Sequence, residues 1–193
     1  MKLNENQLKE IDEYGYVILP GCFSNEEVNN LRKAMTTVFN EKTEANIVEK
    51  SSGVVRTAMG LHLRSKIFDD LTRHPKFFEP ACQIRGRNLY IQQTKINVKA
   101  AFTGEVWQWH YDFATHFGED GVPKPLALNL HVFLDDVTEF NGPLFFIPKS
   151  HKYGSAPSKL DTVTTNYPLW VVDQQTVKTL VKENGIVSAR GKA

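Results

Sequence analysis

The sequence predicts a mainly β fold with flanking helices, built as one domain over residues 1–193. Three observations point there. Two stretches near the start carry apolar residues at helical spacing, the pattern changes to polar and apolar alternation from Leu89 onward, and Asn141-Gly142-Pro143 is a turn signal set before the apolar run Leu144-Phe145-Phe146-Ile147-Pro148.

Leu8, Ile11 and Tyr14 recur at helical spacing after Asn4, with Gly15 placed to end the helix and Tyr16-Val17-Ile18-Leu19-Pro20 following as a strand. The second helix has a stronger signature. Ser24 with Glu27 three residues later forms a capping box that satisfies two amide donors, and Val28, Leu31, Met35 and Val38 make one apolar stripe. A third short helix is expected around Phe77 to Ile84, after His74-Pro75.

In the stretch Leu89 to Lys99, a strand places Gln93, Lys95, Asn97 and Lys99 on one face and Thr94, Ile96 and Val98 on the other. The stretch Leu126 to Leu134 alternates likewise, with Leu126, Leu128, Leu130, Val132 and Leu134 toward the core and Asn129 and His131 opposite. Residues from about Ser155 to Gly185 are more polar and read as an insertion or lid with a weak helical run from Gln174 to Val181. No repeat or low-complexity tract divides the chain.

Composition narrows the class. Hydrophobic residues at 41% and charged residues at 23% are a globular balance, so a packed core is expected rather than disorder. The net charge of +1 with scattered Lys and Arg gives no basic stripe for nucleic acid and no membrane-surface helix, which leaves a small-molecule partner. Cys22 and Cys82 lack any metal-binding or redox spacing and are expected to be buried reduced thiols. No apolar run approaches a membrane span, and the N-terminus lacks a signal core, so a soluble cytoplasmic protein is expected. Monomer and homodimer both remain open.

The chemistry centres on Trp107-Gln108-Trp109-His110-Tyr111-Asp112. On a strand, residues two apart project to the same side, so His110 and Asp112 can offer an imidazole and a carboxylate to one ion. Completed by a second His, such a pair forms the facial triad of non-haem Fe(II) oxygenases, which leaves open positions for a cosubstrate and O2. Taken by itself the His-x-Asp pattern is common, and neighbouring motifs must decide its meaning.

Those motifs are Val55-Arg56 with Leu71-Thr72-Arg73-His74-Pro75, Tyr90 through Lys99, Trp109 through Phe113, Glu119-Asp120-Gly121, Asn141-Gly142-Pro143-Leu144 and Ile147-Pro148-Lys149-Ser150-His151. In this order and spacing the chain resembles the phytanoyl-CoA dioxygenase superfamily, and within it bacterial ectoine hydroxylases and free L-proline hydroxylases. The resemblance implies a double-stranded β-helix, the jelly-roll or cupin-like fold. It also implies Fe(II) as metal, 2-oxoglutarate as cosubstrate with O2, and His110 and Asp112 as metal ligands. By the same resemblance Asn97, Lys99, Trp107, Thr115 and Asn129 fall at the cosubstrate, and Gln93 and His116 at the substrate. Asn129 stands where ectoine hydroxylases have a serine, and His116 where they have a tryptophan. Simple alternation places Trp107 on the face opposite His110.

Other polar residues read as structural: Lys95 as a solvated edge charge, and His62, His74 and His151 as framework, with His131 as a pocket wall. In the family pattern a distal metal-binding His and an Arg that clamps the far carboxylate of 2-oxoglutarate follow the segment Gly185-Ile186-Val187-Ser188-Ala189. Both are expected beyond Ala193, together with C-terminal strands missing from this chain. The expected function is hydroxylation of a free amino acid or small cyclic amino-acid derivative. Proline is favoured because Gly104 through His110 and the closing Gly185 to Ala189 resemble the proline enzymes more closely. The alternatives are a non-catalytic β-helix ligand-binding protein and an ectoine-type hydroxylase. A carboxylate at Asp112 speaks against a halogenase, which needs that position open for halide.

Overall fold

A computed structural model describes residues 1–50, 52–100, 106–164 and 167–191. The chain begins with α1 (Glu5–Tyr14), whose Asn4 and Gln7 form a reciprocal capping box, and Gly15 closes the helix at φ 88°. Ser24 and Glu27 cap α2 (Asn25–Phe39) in the expected manner, and its stripe buries Val28, Leu31 and Val38. After α2 come β1 (Asn46–Val48), β2 (Val55–Met59), α3 (Leu61–Arg64), α4 (Lys66–Arg73) and α5 (Pro75–Arg85), the last starting with Pro at its first position as expected.

The sheet against these helices is antiparallel in the order β1-β2-β3, with β3 at Lys95–Asn97 and Thr57 facing Asn97 across the β2–β3 pair. One core forms there. Leu31, Val38, Ala58, Leu61 and Phe68 are buried together, with Ile96, Val132 and Leu134 packed against them. Each fully buried Leu, Val or Phe among them contributes about 1.5–3 kcal/mol on leaving water.

Beyond β3 the chain forms α6 (Asp112–Gly118), β4 (Leu144–Phe146), β5 (Ser158–Asp161), β6 (Leu169–Val172), α7 (Gln174–Asn184) and β7 (Val187–Ala189). Strand β4 pairs with β7, and β5 with β6, both antiparallel. The polar insertion expected from Ser155 to Gly185 therefore contains a hairpin and a full helix, which Asp173 caps.

Three expected strands are shorter or absent. Only Lys95–Asn97 of the Leu89 to Lys99 stretch joins a ladder, because its partner β2 ends at Met59, where Gly60 at φ 66° turns the chain into α3. Leu126 to Leu134 and Tyr16 to Pro20 have no ladder partner among the described residues, so their alternation is expressed in packing alone. Val132 and Leu134 face the core, whereas Leu126 and Leu130 are exposed. Tyr16 instead stacks on Phe146 at 5.1 Å between ring centroids. Helices consequently hold more of the described residues than ladders do. Cys22 and Cys82 are free but only half-buried, because both lie near helix ends rather than in the core. Among the described residues no helix is long and apolar enough to cross a membrane.

Candidate metal centre

His110 lies on an extended segment that meets β6: His110 and Val171 form an antiparallel bridge, and the Val172 amide donates to the Trp109 carbonyl at 2.9 Å. Tyr111 is still extended, but Asp112 opens α6. The two residues thus share a strand-to-helix junction, which corrects the expectation of a continuous strand. Alternation needs to hold only through Tyr111 to bring the side chains together, and His110 Nε2 stands 3.4 Å from Asp112 Oδ1.

Both groups are oriented by neighbours. His110 Nδ1 is 2.8 Å from the Gln108 carbonyl oxygen, which can only accept, so this nitrogen carries the proton and Nε2 presents the lone pair when the ring is neutral. The Asn129 amide donates to Asp112 Oδ2, leaving Oδ1 on the side of His110. Two donors each about 2.1 Å from one ion stand about 3.0 Å apart at a right angle and about 3.4 Å apart at the tetrahedral angle. The chemistry and separation of this donor pair therefore fit a divalent cation. Among the described residues no group of three or more His, Cys, Asp or Glu side chains could hold one ion.

Electrostatics sharpen the division of roles. The hydrogen bond from His110, aided by Asn129 and the Lys95 charge, holds the Asp112 carboxyl well below the usual carboxylate range despite burial. Burial opposes a charge on His110, but its hydrogen bonds to Asp112 and the Gln108 carbonyl outweigh this and raise its pKa. Burial pushes His131 down, Lys95 pushes the same way, and Asp112 opposes both. The Tyr167 phenol is pushed up to about 12, chiefly by burial, with Arg56 opposing and Asp112 adding to the rise. Asp112 thus touches His110 and Asn129 and lies within electrostatic reach of Lys95, His131 and Tyr167.

The other expected site residues divide. Asn97 accepts from the Thr57 hydroxyl at 3.1 Å across the β2–β3 pair. Lys99 is exposed and its aliphatic chain lies against Gly142, so tightly that a Cβ there would overlap it. Trp107 stacks on the Arg56 guanidinium at 4.1 Å and meets Tyr167 edge-on at 5.7 Å. Beneath it Arg56 and Glu49 pair at 3.3 Å, both buried. Thr115 is half-buried within α6. His116 bonds Asp120 at 2.7 Å, and the Gln92 amide donates to the same carboxylate at 3.1 Å. Gln93, the next residue, is exposed. Gly104 and Glu105 of the segment leading to His110 lie outside the described residues.

Lys95 and Tyr167 were not expected at the pair. The alternation that puts Gln93 and Asn97 on one face also includes Lys95, which is half-buried with its charge acting on Asp112 rather than solvated at a sheet edge. No sequence signal marked Tyr167, which a long-range turn of the chain brings in.

Comparison with known proteins adds four likenesses. Residues 11–189 match the family model Phytanoyl-CoA dioxygenase (PhyH). Ectoine dioxygenase of Bordetella parapertussis is 32% identical over 203 residues, covering 99% of this chain and 65% of that protein. L-proline trans-4-hydroxylase of Streptomyces griseoviridis is 38% identical over 140 residues, covering 72% of this chain and 52% of that protein. The crystal structure of EctD from S. alaskensis with 2-oxoglutarate and 5-hydroxyectoine superposes with a TM-score of 0.85 at 29% identity, covering 98% of this chain and 64% of that one. The fold is therefore that of EctD over nearly the whole chain, and the chain spans just under two thirds of the length of its ectoine relatives.

Proposed function

We propose that this chain, which belongs to the phytanoyl-CoA dioxygenase (PhyH) family, carries the metal-binding core of an Fe(II)- and 2-oxoglutarate-dependent hydroxylase. The observation that carries the reading is the donor pair His110 Nε2 and Asp112 Oδ1 at 3.4 Å, with His110 Nδ1 tied to a backbone carbonyl. That tie is the usual way a metal-ligating imidazole is oriented. When bound, Fe(II) with 2-oxoglutarate and O2 would supply the oxidising power needed to place a hydroxyl on an unactivated C–H bond.

The protein's own contribution is placement. His110 and Asp112 would hold the metal, and Asn129 would keep the carboxylate turned toward it. The Lys95 cation, felt by His110, Asp112 and His131, suits a substrate or cosubstrate that brings a carboxylate. Trp107 and Tyr167 supply an aromatic wall that limits water at the pair. Asn97, Lys99 and Thr115 belong to the cosubstrate side in this reading, and Gln93 and His116 to the substrate side.

The proposed substrate is a free amino acid or small cyclic amino-acid derivative, with proline preferred. The likeness to L-proline trans-4-hydroxylase supports that preference. An ectoine-type substrate is the second reading, favoured by the relative that aligns with 99% of this chain. A non-catalytic binding protein is a third, favoured by the lack of a three-ligand cluster among the described residues. Succinate release by the full-length protein with Fe(II) and 2-oxoglutarate separates them. Stimulation by proline is expected; stimulation by ectoine alone selects the second reading, and none by any amino acid selects the third. His110→Ala is expected to abolish iron binding and turnover while leaving the unfolding transition in place.

A further inference from the structure

Asp112 begins a helix of seven residues, and its N-terminal neighbour Tyr111 makes no side-chain capping bond. A helix this short has little stability of its own, so contacts elsewhere must set the direction of its first residue. Strand β6 provides them. Trp170 Nε1 donates to Glu119 Oε1 at 3.2 Å just past the C-terminus of α6, and a Cβ on Gly118 would stand 3.5 Å from that same nitrogen, so the indole lies against the helix end. The adjoining Val171 bridges His110, and the Val172 amide donates to Trp109. Ahead of the hairpin, the Ala156 carbonyl accepts from the Tyr111 hydroxyl at 3.0 Å. The C-terminal end of α6 is also tied through His116, which contacts the Asp120 carboxylate that accepts from the Gln92 amide.

From this arrangement we infer that Trp170 is a positioning residue: through α6 it sets Asp112 against His110, so that one hairpin strand holds both members of the donor pair. The inference rests on the metal-binding reading given above. His110 is fixed by backbone pairing to Val171, whereas Asp112 is reached through the indole one residue earlier. The hairpin therefore acts on the geometry of the pair without touching the ion, and its loss should weaken binding more than it weakens the fold.

The test uses Co(II) titration followed by visible absorption, with amide hydrogen exchange on the metal-free chain as a second readout. Trp170→Ala is expected to raise the Co(II) dissociation constant about ten-fold and to speed exchange in α6, while exchange in α2 stays as in the parent protein. Trp170→Phe, which keeps a ring but loses the donor, is expected to weaken Co(II) about three-fold. Glu119→Gln keeps an acceptor oxygen and should bind as the parent does. Unchanged Co(II) affinity in Trp170→Ala, or equal acceleration of exchange in α6 and α2, overturns the inference. If the parent protein shows no Co(II) binding that depends on His110, the metal reading fails by itself; α6 exchange then decides, with faster exchange in Trp170→Ala upholding the clasp and unchanged exchange refuting it.

Discussion

The Asn129 side-chain amide donates to Asp112 Oδ2 while His110 Nε2 faces the other oxygen, Oδ1. The two residues are far apart in sequence, and the contact divides the carboxylate into an anchored oxygen and one directed at the imidazole. Asn129→Ala should free the carboxylate to rotate and weaken divalent-metal binding about ten-fold, the range seen when a ligand's orienting partner is lost. Isothermal titration with Co(II) measures it, and wild-type affinity in this variant would remove Asn129 from the site.

Arg56→Ala should destabilise the fold by about 3–5 kcal/mol, since Glu49 is buried opposite it and would keep a charge facing protein. Arg56→Lys keeps the charge but loses the planar face stacked on Trp107, with an expected cost of about 1 kcal/mol. Urea unfolding midpoints of the two variants would show the difference; no loss in Arg56→Lys would mean that the stack contributes nothing.

The hydrogen bonds of Glu27 to Lys76, and then to the Ser24 backbone, lower its pKa from 4.5 to about 2. The folded value lies below the unfolded one, so the unfolded chain takes up this proton first as the medium is acidified. The contribution is therefore complete above about 4.5 and lost as pH falls toward 2. The Glu27 side chain is about one third exposed, with 35% of its surface accessible, and solvent screening limits the Lys76 coupling to about 1 kcal/mol. Glu27→Gln should lower the urea midpoint at pH 6 and show a smaller deficit at pH 3; a pH-independent deficit would assign the effect to the cap alone.

Gly15 ends α1 at φ 88° with the His151 ring where a Cβ would project, and His151 Nε2 meets the Asp12 carbonyl oxygen at 3.0 Å. Gly15→Ala must strain the left-handed backbone and displace that ring, costing about 1–2 kcal/mol. Thermal unfolding reads this directly, and a neutral result would show that the ring moves freely.

Local rules carried much of the architecture into view. The capping box at Ser24 and Glu27, the glycine stop at Gly15, the proline start of α5 and the pairing of β4 after Asn141-Gly142-Pro143 all depend on residues within a few positions of one another. The same holds for the closeness of His110 to Asp112, since one extended residue between them is enough to put both side chains on one side. Asn129 and His131 also reach Asp112 from the face that alternation assigns them, even though no ladder forms along their segment.

Tertiary structure decided the rest. Whether an alternating stretch becomes a strand depends on a neighbour to pair with, and Gly60, whose amide still donates to the Thr94 carbonyl, ends that neighbour's run before Leu89 to Gln93 could use it. Asp112 became the first residue of a helix because the chain past Tyr111 has no ladder to continue in and turns toward Trp170. Lys95, Tyr167 and Trp170 gained their places around the pair only when β3 and the β5–β6 hairpin folded over it. The donor types and their spacing are local properties and so were written in the sequence; the charge, burial and support around them come from segments distant in the chain, which no local periodicity encodes.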